Sequence, residues 1–336
     1  MITAPRFWWQ RRAGVAALAL APVAAVWSAL AARRMRRAPT VRAPLPVICI
    51  GNFVVGGAGK TPTALAIAGI VKEFGLRPGF LTRGYGGSVR GAHRVDPRRD
   101  SAGLVGDEAL LLADEGAVVV ARDRPRGLPL LLDAGVDCII MDDGFQNPAL
   151  AKDFNLIVVD GAAGNGNGMV IPSGPLRAPL PTQMRQAHAV LIVGEGEAGE
   201  RVMRQAAQAG RLVLRARLEP VRPQGWAGRH LAFAGIGRPE KFFSALAAAG
   251  IDVAAREAFP DHHPFGDADA VRLLARAKAD GLTLVTTAKD HARLKGSIGA
   301  KLTLAEQAKV FPVRMRFEDE AQVRQLINLV LRAGAP

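Results

Sequence analysis

The stretch that decides the fold is residues 45–67, LPVICIGNFVVGGAGKTPTALAI. It begins with an apolar run at residues 45–50, whose length and β-branched side chains indicate a buried strand. A glycine-rich turn follows, then the pair Lys60-Thr61, and then an apolar helical pattern. A strand, a glycine loop, a Lys-Thr pair and a helix in this order predict a phosphate-binding loop.

The residues of this loop have predictable roles in binding a nucleotide. Glycines let backbone N–H groups close around phosphate oxygens, and the helix N-terminus adds partial positive charge. We expect Lys60 to reach the outer phosphates and Thr61 to bind Mg²⁺. The predicted nucleotide-binding residues are Gly56, Gly57, Ala58, Gly59, Lys60 and Thr61. The strict pattern G-x-x-x-x-G-K-[ST] requires glycine where this chain has Val54, so a plain glycine turn is the alternative.

Composition and charge narrow the class of protein. The chain has 336 residues, of which 49% are hydrophobic, enough for one large domain or two. Cys49 and Cys138 lie in apolar runs without disulfide or metal spacing, which favours a reducing compartment. Residues 1–42 hold eight arginines and no acidic residue, so they carry more than half of the net charge of +14. Basic charge around one apolar segment favours a membrane surface, and an aromatic content of 5% argues against a nucleic-acid partner.

The apolar segment itself is residues 13–32, AGVAALALAPVAAVWSALAA, which contain no charge. At about 1.5 Å per residue, a helix of this length would match a hydrocarbon core of about 30 Å. Pro22 interrupts the run. A signal peptide, a spanning helix and an in-plane anchor are the alternatives, although export would remove a nucleotide site from ATP. The heavier basic cluster after the run predicts that the rest of the chain lies on the cytoplasmic side.

The pattern downstream predicts the fold class and the domains. Strands and helices alternate from residue 45 onward, which indicates an α/β, P-loop NTPase-like fold with a mostly parallel sheet. We expect an N-terminal membrane-anchor helix in residues 1–42, a P-loop lobe in residues 43–225 and a smaller α/β lobe in residues 226–336, with a cleft between the lobes. Residues 194–229 are weakly patterned and are interpreted as the joint.

A second candidate site follows the apolar run at residues 136–141, which ends in Asp142-Asp143-Gly144. Open α/β sheets place ligand chemistry at the carboxyl ends of their strands. In P-loop enzymes a carboxylate in this position holds Mg²⁺. An ordinary polar turn is the alternative. The phosphate loop upstream favours the metal role, with Thr61, Asp142 and Asp143 as the predicted ligands.

Three further groups of residues have open interpretations. Asp107 stands at a predicted helix start, where it either compensates the helix dipole or acts in the site. Residues 261–263, Asp-His-His, are compatible with a metal cluster, a polar turn, or a catalytic pair in which His262 orients a carboxylate. Lys289 and Asp290 follow a late strand and are equally compatible with a surface turn.

Several strings together resemble one family. In chain order they are VICIGNFVVGGAGKTP, TRGYGG, VGDEALLLA, MDDGFQN, IPSGPLR, FPDHHPF and TTAKDHARL, behind an apolar N-terminal segment. This set is similar to tetraacyldisaccharide 4′-kinases, the lipid A 4′-kinases, over about residues 7–332. The DDGFQ string joined to GGAGKTP is its most specific part. The resemblance also accounts for Val54, because that family typically lacks the first glycine of the strict pattern.

The resemblance implies an activity and residue roles. The activity is transfer of the ATP γ-phosphoryl group to the 4′-hydroxyl of an acylated glucosamine disaccharide 1-phosphate, with Mg²⁺, in lipid A biosynthesis. The implied catalytic residues are Asp107 as base, His262 as its partner, and Lys60. The residues expected to contact substrate are Asn52, Arg83 and Arg177. The family often has an acid after the PLR segment, where this chain has Ala178, so a contact from that acid is in doubt.

The expected location and partners follow from the same resemblance and from the charge pattern. We expect the protein at the cytoplasmic face of the bacterial inner membrane, with ATP, the lipid substrate and the membrane surface as its partners. One alternative function is a membrane-recruited P-loop ATPase that acts as a switch, as partitioning ATPases do. Another is a lipid-binding protein without enzymatic activity, in which the phosphate loop is vestigial.

Overall fold

The computed structural model describes residues 4–221 and 225–334. The strands in this part of the chain form two sheets. In chain order the strands are β1 (Val47–Gly51), β2 (Pro78–Thr82), β3 (His93–Arg94), β4 (Ala117–Val120), β5 (Cys138–Asp142), β6 (Phe154–Asp160), β7 (Ala189–Val193), β8 (Leu212–Pro220), β9 (His230–Ala234), β10 (Val253–Ala258), β11 (Thr283–Thr286), β12 (Lys309–Val310) and β13 (Val313–Phe317).

Helices connect these strands and cover the sheets. In chain order they are α1 (Val15–Ala19), α2 (Ala21–Met35), α3 (Lys60–Glu73), α4 (Ala102–Val105), α5 (Asp107–Leu112), α6 (Leu128–Asp133), α7 (Leu180–Gln186), α8 (Glu197–Gln208), α9 (Pro239–Ala248), α10 (Asp267–Asp280), α11 (Ala288–Leu294), α12 (Ala300–Gln307) and α13 (Glu320–Ala333). Two 3₁₀ turns, Arg6–Trp9 and Arg124–Gly127, complete the helical elements of the described residues.

The larger sheet has the strand order β13-β8-β7-β6-β1-β5-β2-β4-β3. Its seven central strands are parallel, and the edge strands β13 and β3 are antiparallel to their neighbours. The predicted α/β fold with a mostly parallel sheet is therefore confirmed. Because β1 and β5 are parallel neighbours, the loop after Gly51 and the carboxylate of Asp142 emerge at the same edge.

Both faces of β1 are buried, as expected for a central parallel strand. Ile48 and Ile50 point to the face covered by α3, where they pack with Ile67. Val47 and Cys49 point to the opposite face, in the apolar cluster that includes residues of α6 and α7. Burial of one large apolar side chain contributes about 1.5–3 kcal/mol. This two-sided core holds the end of β1 firmly where the phosphate loop begins.

The smaller sheet has the order β10-β9-β11-β12, and all its strands are parallel. Leu231 and Phe233 of β9 pack against α10 on one face. Ala232 and Ala234 pack on the other face with Phe242 and other residues of α9. We call this unit, residues 230–310, the small lobe, and the unit built on the larger sheet the large lobe. The loops that follow the strands of the small lobe face the large lobe.

The C-terminal limit of the small lobe differs from the predicted range of 226–336. Strand β13 pairs with β8 in the larger sheet, and α13 packs on α3. Residues 194–229, interpreted as a joint, contain α8 and β8 of the large lobe. Strand β13 buries only Met315 and Phe317, the alternation typical of an edge strand. Such a short pattern does not reveal which of two sheets the strand joins. Its position near the end of the chain therefore led to its assignment to the small lobe.

The N-terminal apolar run is divided rather than continuous. Helices α1 and α2 meet at Leu20, and Pro22 occupies the first turn of α2, where its missing N–H is tolerated. Among the described residues, none of the helices combines the length and the apolar character needed to cross a bilayer. Trp8 anchors the segment by donating from Nε1 to the Pro172 carbonyl at 2.9 Å. A single helix over residues 13–32, which the spanning alternative requires, is therefore not observed.

Candidate active site

The phosphate loop occupies the turn between β1 and α3. Its conformation requires glycine at Gly59, whose φ of +94° lies in the left-handed region that other residues enter only with strain. Asn52 closes the loop by donating from Nδ2 to the Gly56 carbonyl at 3.0 Å. Helix α3 begins directly at Lys60, so the last residues of the loop lie at a helix N-terminus. This is the geometry that binds phosphate oxygens through backbone N–H groups.

Val54 departs from the strict glycine pattern for a reason visible in the fold. It is buried and forms an antiparallel bridge with Leu176. Its carbonyl accepts a hydrogen bond from Arg177 Nε at 3.0 Å. The first half of the loop is thus extended backbone supported by residues 175–177, and this conformation suits a β-branched residue.

Lys60 and Thr61 lie at the centre of the loop, and both are buried. Lys60 Nζ is 3.7 Å from Asp143 Oδ1 and 3.5 Å from the Gly56 carbonyl. Thr61 Oγ1 is 3.4 Å from Asp142 Oδ2. The contacts with Gly56 and Asp142 are at the long limit of hydrogen bonding, and the Lys60–Asp143 ion pair lies beyond it. Both side chains therefore retain capacity for stronger bonds to an anionic ligand.

Asp142 and Asp143 are neighbours in very different surroundings. Burial raises the pKa of Asp142 to about 7, and the charge of Glu108 adds to this rise. Asp143 has a φ of +54°, and Arg177 binds its two oxygens at 2.7 and 3.2 Å. Burial opposes its ionisation, but Lys60 and Arg177 outweigh burial and hold the pKa of Asp143 well below its usual range. The surroundings of Asp143 therefore favour its charged form, whereas those of Asp142 favour its neutral form.

A magnesium ion fits this set of donors. Asp142 Oδ1 is buried without a hydrogen-bond partner, and the Thr61 hydroxyl lies beside the same carboxylate. Hard oxygen donors are the ligands that Mg²⁺ prefers. In the described ranges, residues 4–221 and 225–334, no three His, Cys, Asp or Glu side chains are grouped to hold a metal. Phosphate oxygens and water would supply the remaining ligands, as is usual for Mg²⁺ at nucleotide sites.

Asp107 and His262, predicted as a pair, are brought together across the cleft. Asp107 is the first residue of α5 in the large lobe, and His262 lies in the loop after β10 of the small lobe. Asp107 Oδ2 is 3.3 Å from His262 Nδ1, and its Oδ1 accepts from the Glu108 N–H at 2.9 Å. Gly106 permits this placement, because a Cβ there would lie 2.6 Å from the Tyr85 carbonyl.

Arg293 was not among the residues predicted for the site. It donates to Asp107 Oδ2 from Nε at 2.8 Å and from Nη2 at 2.6 Å. Burial opposes ionisation of Asp107, but His262, Lys289 and Arg293 together hold its pKa well below its usual range. The available signal was the spacing of Lys289 and Arg293, four residues apart and hence on one helix face.

Lys289 and Asp290 do not form the surface turn considered above. Asp290 is fully buried in α11, where Thr287 Oγ1 and the Gly235 N–H both donate to its carboxylate. Lys289 Nζ reaches across the cleft to Glu108 Oε1 at 2.6 Å. Sequence reasoning missed Glu108 as well, although its neighbour Asp107 was predicted. Its helix α5 packs against α3, which begins at the phosphate loop, and the charge of Glu108 interacts with Lys60 and Asp142.

The other residues of the Asp-His-His string have structural partners. His263 Nε2 lies 2.9 Å from Asp269 Oδ2, and its ring stacks on Phe259 with centroids 4.7 Å apart. His263 therefore supports the start of α10. Together with the lack of a metal-binding cluster in the described parts of the chain, this argues against the metal interpretation of residues 261–263.

The three residues predicted to contact substrate lie in two places. Asn52 and Arg177 are within the phosphate loop and its support, as described above. Arg83 is exposed directly after β2, and its positive charge is among the causes that lower the pKa of Arg124, after burial. Ala178, where the family often has an acid, is fully buried, and its carbonyl accepts from Gln183 Nε2 at 2.7 Å.

Comparison with known proteins agrees with this geometry. Residues 16–332 match the family model described as tetraacyldisaccharide-1-P 4′-kinase. The chain is 51% identical to the tetraacyldisaccharide 4′-kinase of Methylobacterium nodulans, over 99% of this chain and 97% of that protein. It is 47% identical to the enzyme of that name from Brucella anthropi, over 98% and 96% of the two chains.

The fold is similar to a crystal structure of Aquifex aeolicus LpxK in complex with ATP, with a TM-score of 0.73 and 24% identity. The match covers 94% of this chain and 99% of that one. These comparisons confirm the resemblance found in the sequence. They favour the kinase over the switch ATPase and the vestigial loop.

Proposed function

The chain belongs to the tetraacyldisaccharide 4′-kinase family, and we propose that it transfers the γ-phosphoryl group of ATP to the 4′-hydroxyl of an acylated glucosamine disaccharide 1-phosphate, a step of lipid A biosynthesis. One observation carries this proposal: Asp107 pairs with His262 across the cleft, and its helix α5 packs against α3, the helix that begins at the phosphate loop. Phosphoryl transfer depends on positioning and charge neutralisation, and these two groups supply them.

The nucleotide half of the site binds the phosphates of ATP. Backbone N–H groups of residues 56–61 surround the phosphate oxygens, and the start of α3 adds its partial positive charge. Lys60 exchanges its long contacts for bonds to the outer phosphates. Arg177 holds Asp143 and the Val54 carbonyl, so it keeps the loop in shape beside the phosphates.

Thr61 and Asp142 would hold Mg²⁺, with Asp143 beside them as a fixed negative charge. The ion would neutralise the charge that develops on the phosphate oxygens during transfer. Its binding would also give Asp142 Oδ1, which is buried without a hydrogen-bond partner, a positive ligand.

The acceptor half of the site acts on the hydroxyl. The 4′-oxygen attacks the γ-phosphorus, the bond from that phosphorus to the β–γ bridging oxygen breaks, and ADP leaves. Asp107 accepts the hydroxyl proton, and His262 orients its carboxylate. The low pKa of Asp107 suits a loose transition state, in which the nucleophile keeps its proton until late. Arg83, exposed at the cleft after β2, is positioned to meet an anionic group of the lipid.

Two features of the N-terminal helices support our proposal that this site lies at a membrane surface. One face of α2 exposes an apolar row at the spacing expected for a single helix face: Val23, Val26, Trp27 and Leu30. Arg33 and Arg34 stand in the last turn of the same helix. An apolar face beside basic residues favours in-plane binding to an anionic leaflet. We therefore place the protein at the cytoplasmic face of the inner membrane, where ATP and the acylated acceptor are both available.

The test supplies γ-labelled ATP and Mg²⁺ with the acylated disaccharide 1-phosphate in detergent. A parallel sample contains the same lipid already phosphorylated at the 4′ position, which lacks the acceptor hydroxyl. We expect label in the first lipid only. Label that appears only as free phosphate, or equally in both lipids, would show that the proposed reaction is wrong.

A further inference from the structure

We propose that Arg293 is a positioning residue: it occupies Oδ2 of Asp107 and thereby leaves Oδ1 to receive the proton of the acceptor hydroxyl. This inference rests on the proposed role of Asp107 as base. It concerns a residue of the small lobe that lies 186 positions away in the chain. The inference is supported by contacts on two edges of the Arg293 guanidinium group.

One edge of the guanidinium is fixed to the small lobe. Arg293 Nη1 donates to the Gly235 carbonyl at 2.7 Å and to Asp290 Oδ1 at 2.6 Å. Asp290 is itself held by Thr287 Oγ1 at 2.6 Å and by the Gly235 N–H at 3.1 Å. The side chain of Arg293 is only 7% exposed, so solvent does not compete for these bonds. The group is therefore anchored before it meets the large lobe.

The other edge faces Asp107. Both of its donors, Nε and Nη2, converge on Oδ2 rather than dividing between the two carboxylate oxygens. His262 Nδ1 is also nearest to this oxygen, at 3.3 Å. Oδ1 has one hydrogen bond, from the Glu108 N–H. Because a carboxylate oxygen can accept two hydrogen bonds, Oδ1 retains the capacity to accept one from the substrate hydroxyl.

The planar guanidinium makes this arrangement rigid. Its donors are held in one plane, so a group anchored on one edge orients whatever binds the other. The titratable and charged groups that act on Asp107 are Arg293, His262, Lys289 and Asp290, with Glu108 as its neighbour on α5. Arg293 contributes both charge and direction, whereas Lys289 has its hydrogen bond to Glu108 and contributes to Asp107 by charge.

A second ion pair between the same elements provides a matched control. Lys295 Nζ lies 3.2 Å from Asp114 Oδ2, just beyond the ends of α11 and α5. This pair links the two lobes as Arg293 does but does not touch Asp107, and the Asp114 side chain is 56% exposed. If Arg293 served only to join the lobes, removal of either ion pair would have the same kind of effect on activity, and the two effects would differ only in size.

The experiment compares Arg293→Met, Arg293→Lys and Lys295→Met with the wild-type chain in the lipid transfer assay. We expect Arg293→Met to lower kcat by about 10–100-fold, a part of what a general base contributes, with KM for ATP within about twofold. Its acidic limb of kcat should move to higher pH, because Asp107 loses a positive neighbour. Arg293→Lys keeps the charge, so we expect a lower kcat without that shift. Lys295→Met should stay within about twofold.

The same change is then made in the Asp107→Asn background. If Arg293 acts through Asp107, adding Arg293→Met to Asp107→Asn should lower kcat by less than about twofold further. The reason is that effects of residues that act as one unit are not additive. A full additional loss in that background, or an unaltered kcat and pH profile in Arg293→Met, would overturn the inference. If Arg293→Met does not fold, Arg293→Lys carries the same comparison. Failure of the wild-type chain to label lipid would instead reject the proposed function.

Discussion

The two halves of the cleft are built in opposite ways. The nucleotide half comes from one lobe: the phosphate loop follows β1, and Asp142 ends the neighbouring strand β5. The acceptor half comes from both lobes, with Asp107 in the large lobe and His262 and Arg293 in the small one. Backbone geometry shapes the first, whereas the second exists only where the lobes meet.

This difference has a functional meaning. A site held inside one sheet can bind ATP whatever the position of the small lobe, since its donors are fixed by the core of the large lobe. A base whose orientation depends on the other lobe is complete only when that lobe is in place. Changes in the small lobe should therefore act on transfer more than on nucleotide affinity, and changes in the loop should act on both.

Among the changes that leave the base Asp107 in place, the largest effect is expected for Lys60→Ala in the nucleotide half. Removal of one buried cation that stabilises transition-state charge should lower kcat by about 10²–10³-fold and weaken ATP binding as well. Lys72→Ala is the control, because Lys72 lies in the same helix but pairs with Glu115 at the surface. Steady-state transfer to lipid, with folding followed by circular dichroism, measures both. Wild-type activity in Lys60→Ala would remove the phosphate role.

The next effect tests the acceptor half through His262→Ala. The imidazole positions Asp107 but does not accept the proton in this account, so we expect kcat to fall by about 10–100-fold. The KM for ATP should change by less than about twofold, because His262 lies in the small lobe. A loss of ATP affinity equal to that in Lys60→Ala would contradict the division of the cleft into two halves.

A smaller effect is expected at the membrane-facing helix. Replacing Val26 by Glu places a charge in the exposed apolar row of α2, and we expect binding to anionic vesicles to fall by about tenfold. Ile298→Glu is the matched control, since Ile298 is an exposed apolar residue of the small lobe outside that row. Vesicle sedimentation measures both variants. Equal binding of Val26→Glu and wild type would place the membrane contact elsewhere.

The smallest expected effect is on thermal stability, measured without nucleotide or metal, and it distinguishes Asp142 from its neighbour Asp143. Because burial raises the pKa of Asp142 to about 7, the folded state loses stability as pH rises from about 4 to 7. Asp142→Asn should therefore raise Tm at pH 8 by about 2–4 °C and have no such benefit at pH 4. Asp143 has a depressed pKa, so its ion pairs stabilise the protein above pH 4.

Asp143→Asn should accordingly lower Tm at pH 8 by about 2–4 °C. The opposite signs of the two changes are the informative result, and differential scanning calorimetry over a pH series measures them. Two shifts of the same sign would mean that the surroundings of the two carboxylates are not as different as the structure indicates.

The same division explains what the sequence could reveal. The strand, loop and helix around Lys60 are local, since glycine, apolar periodicity and a helix start are all set by nearby residues. Asp142 was found for the same reason, as a polar residue that ends an apolar strand. The fold class followed from the alternation of strands and helices, which the larger sheet confirms.

What the sequence did not reveal depends on contacts between distant residues. Arg293 and Glu108 acquire their roles only when α11 meets α5, and no local pattern encodes that meeting. Strand β13 was assigned to the wrong lobe because five residues with two buried side chains fit either sheet. The N-terminal run divides at Leu20, with Pro22 in the first turn of α2, and it docks through Trp8 and Met35, whose contacts are with distant residues.

One measurement tests the account most directly: single-turnover transfer from prebound γ-labelled ATP to the acylated disaccharide 1-phosphate, in the wild-type chain and in Asp107→Asn. We predict that both bind ATP with Kd values within about twofold, and that Asp107→Asn labels the lipid about 10²–10⁴-fold more slowly. Transfer at the wild-type rate in Asp107→Asn, or label released by the wild-type chain only as free phosphate, would contradict the account.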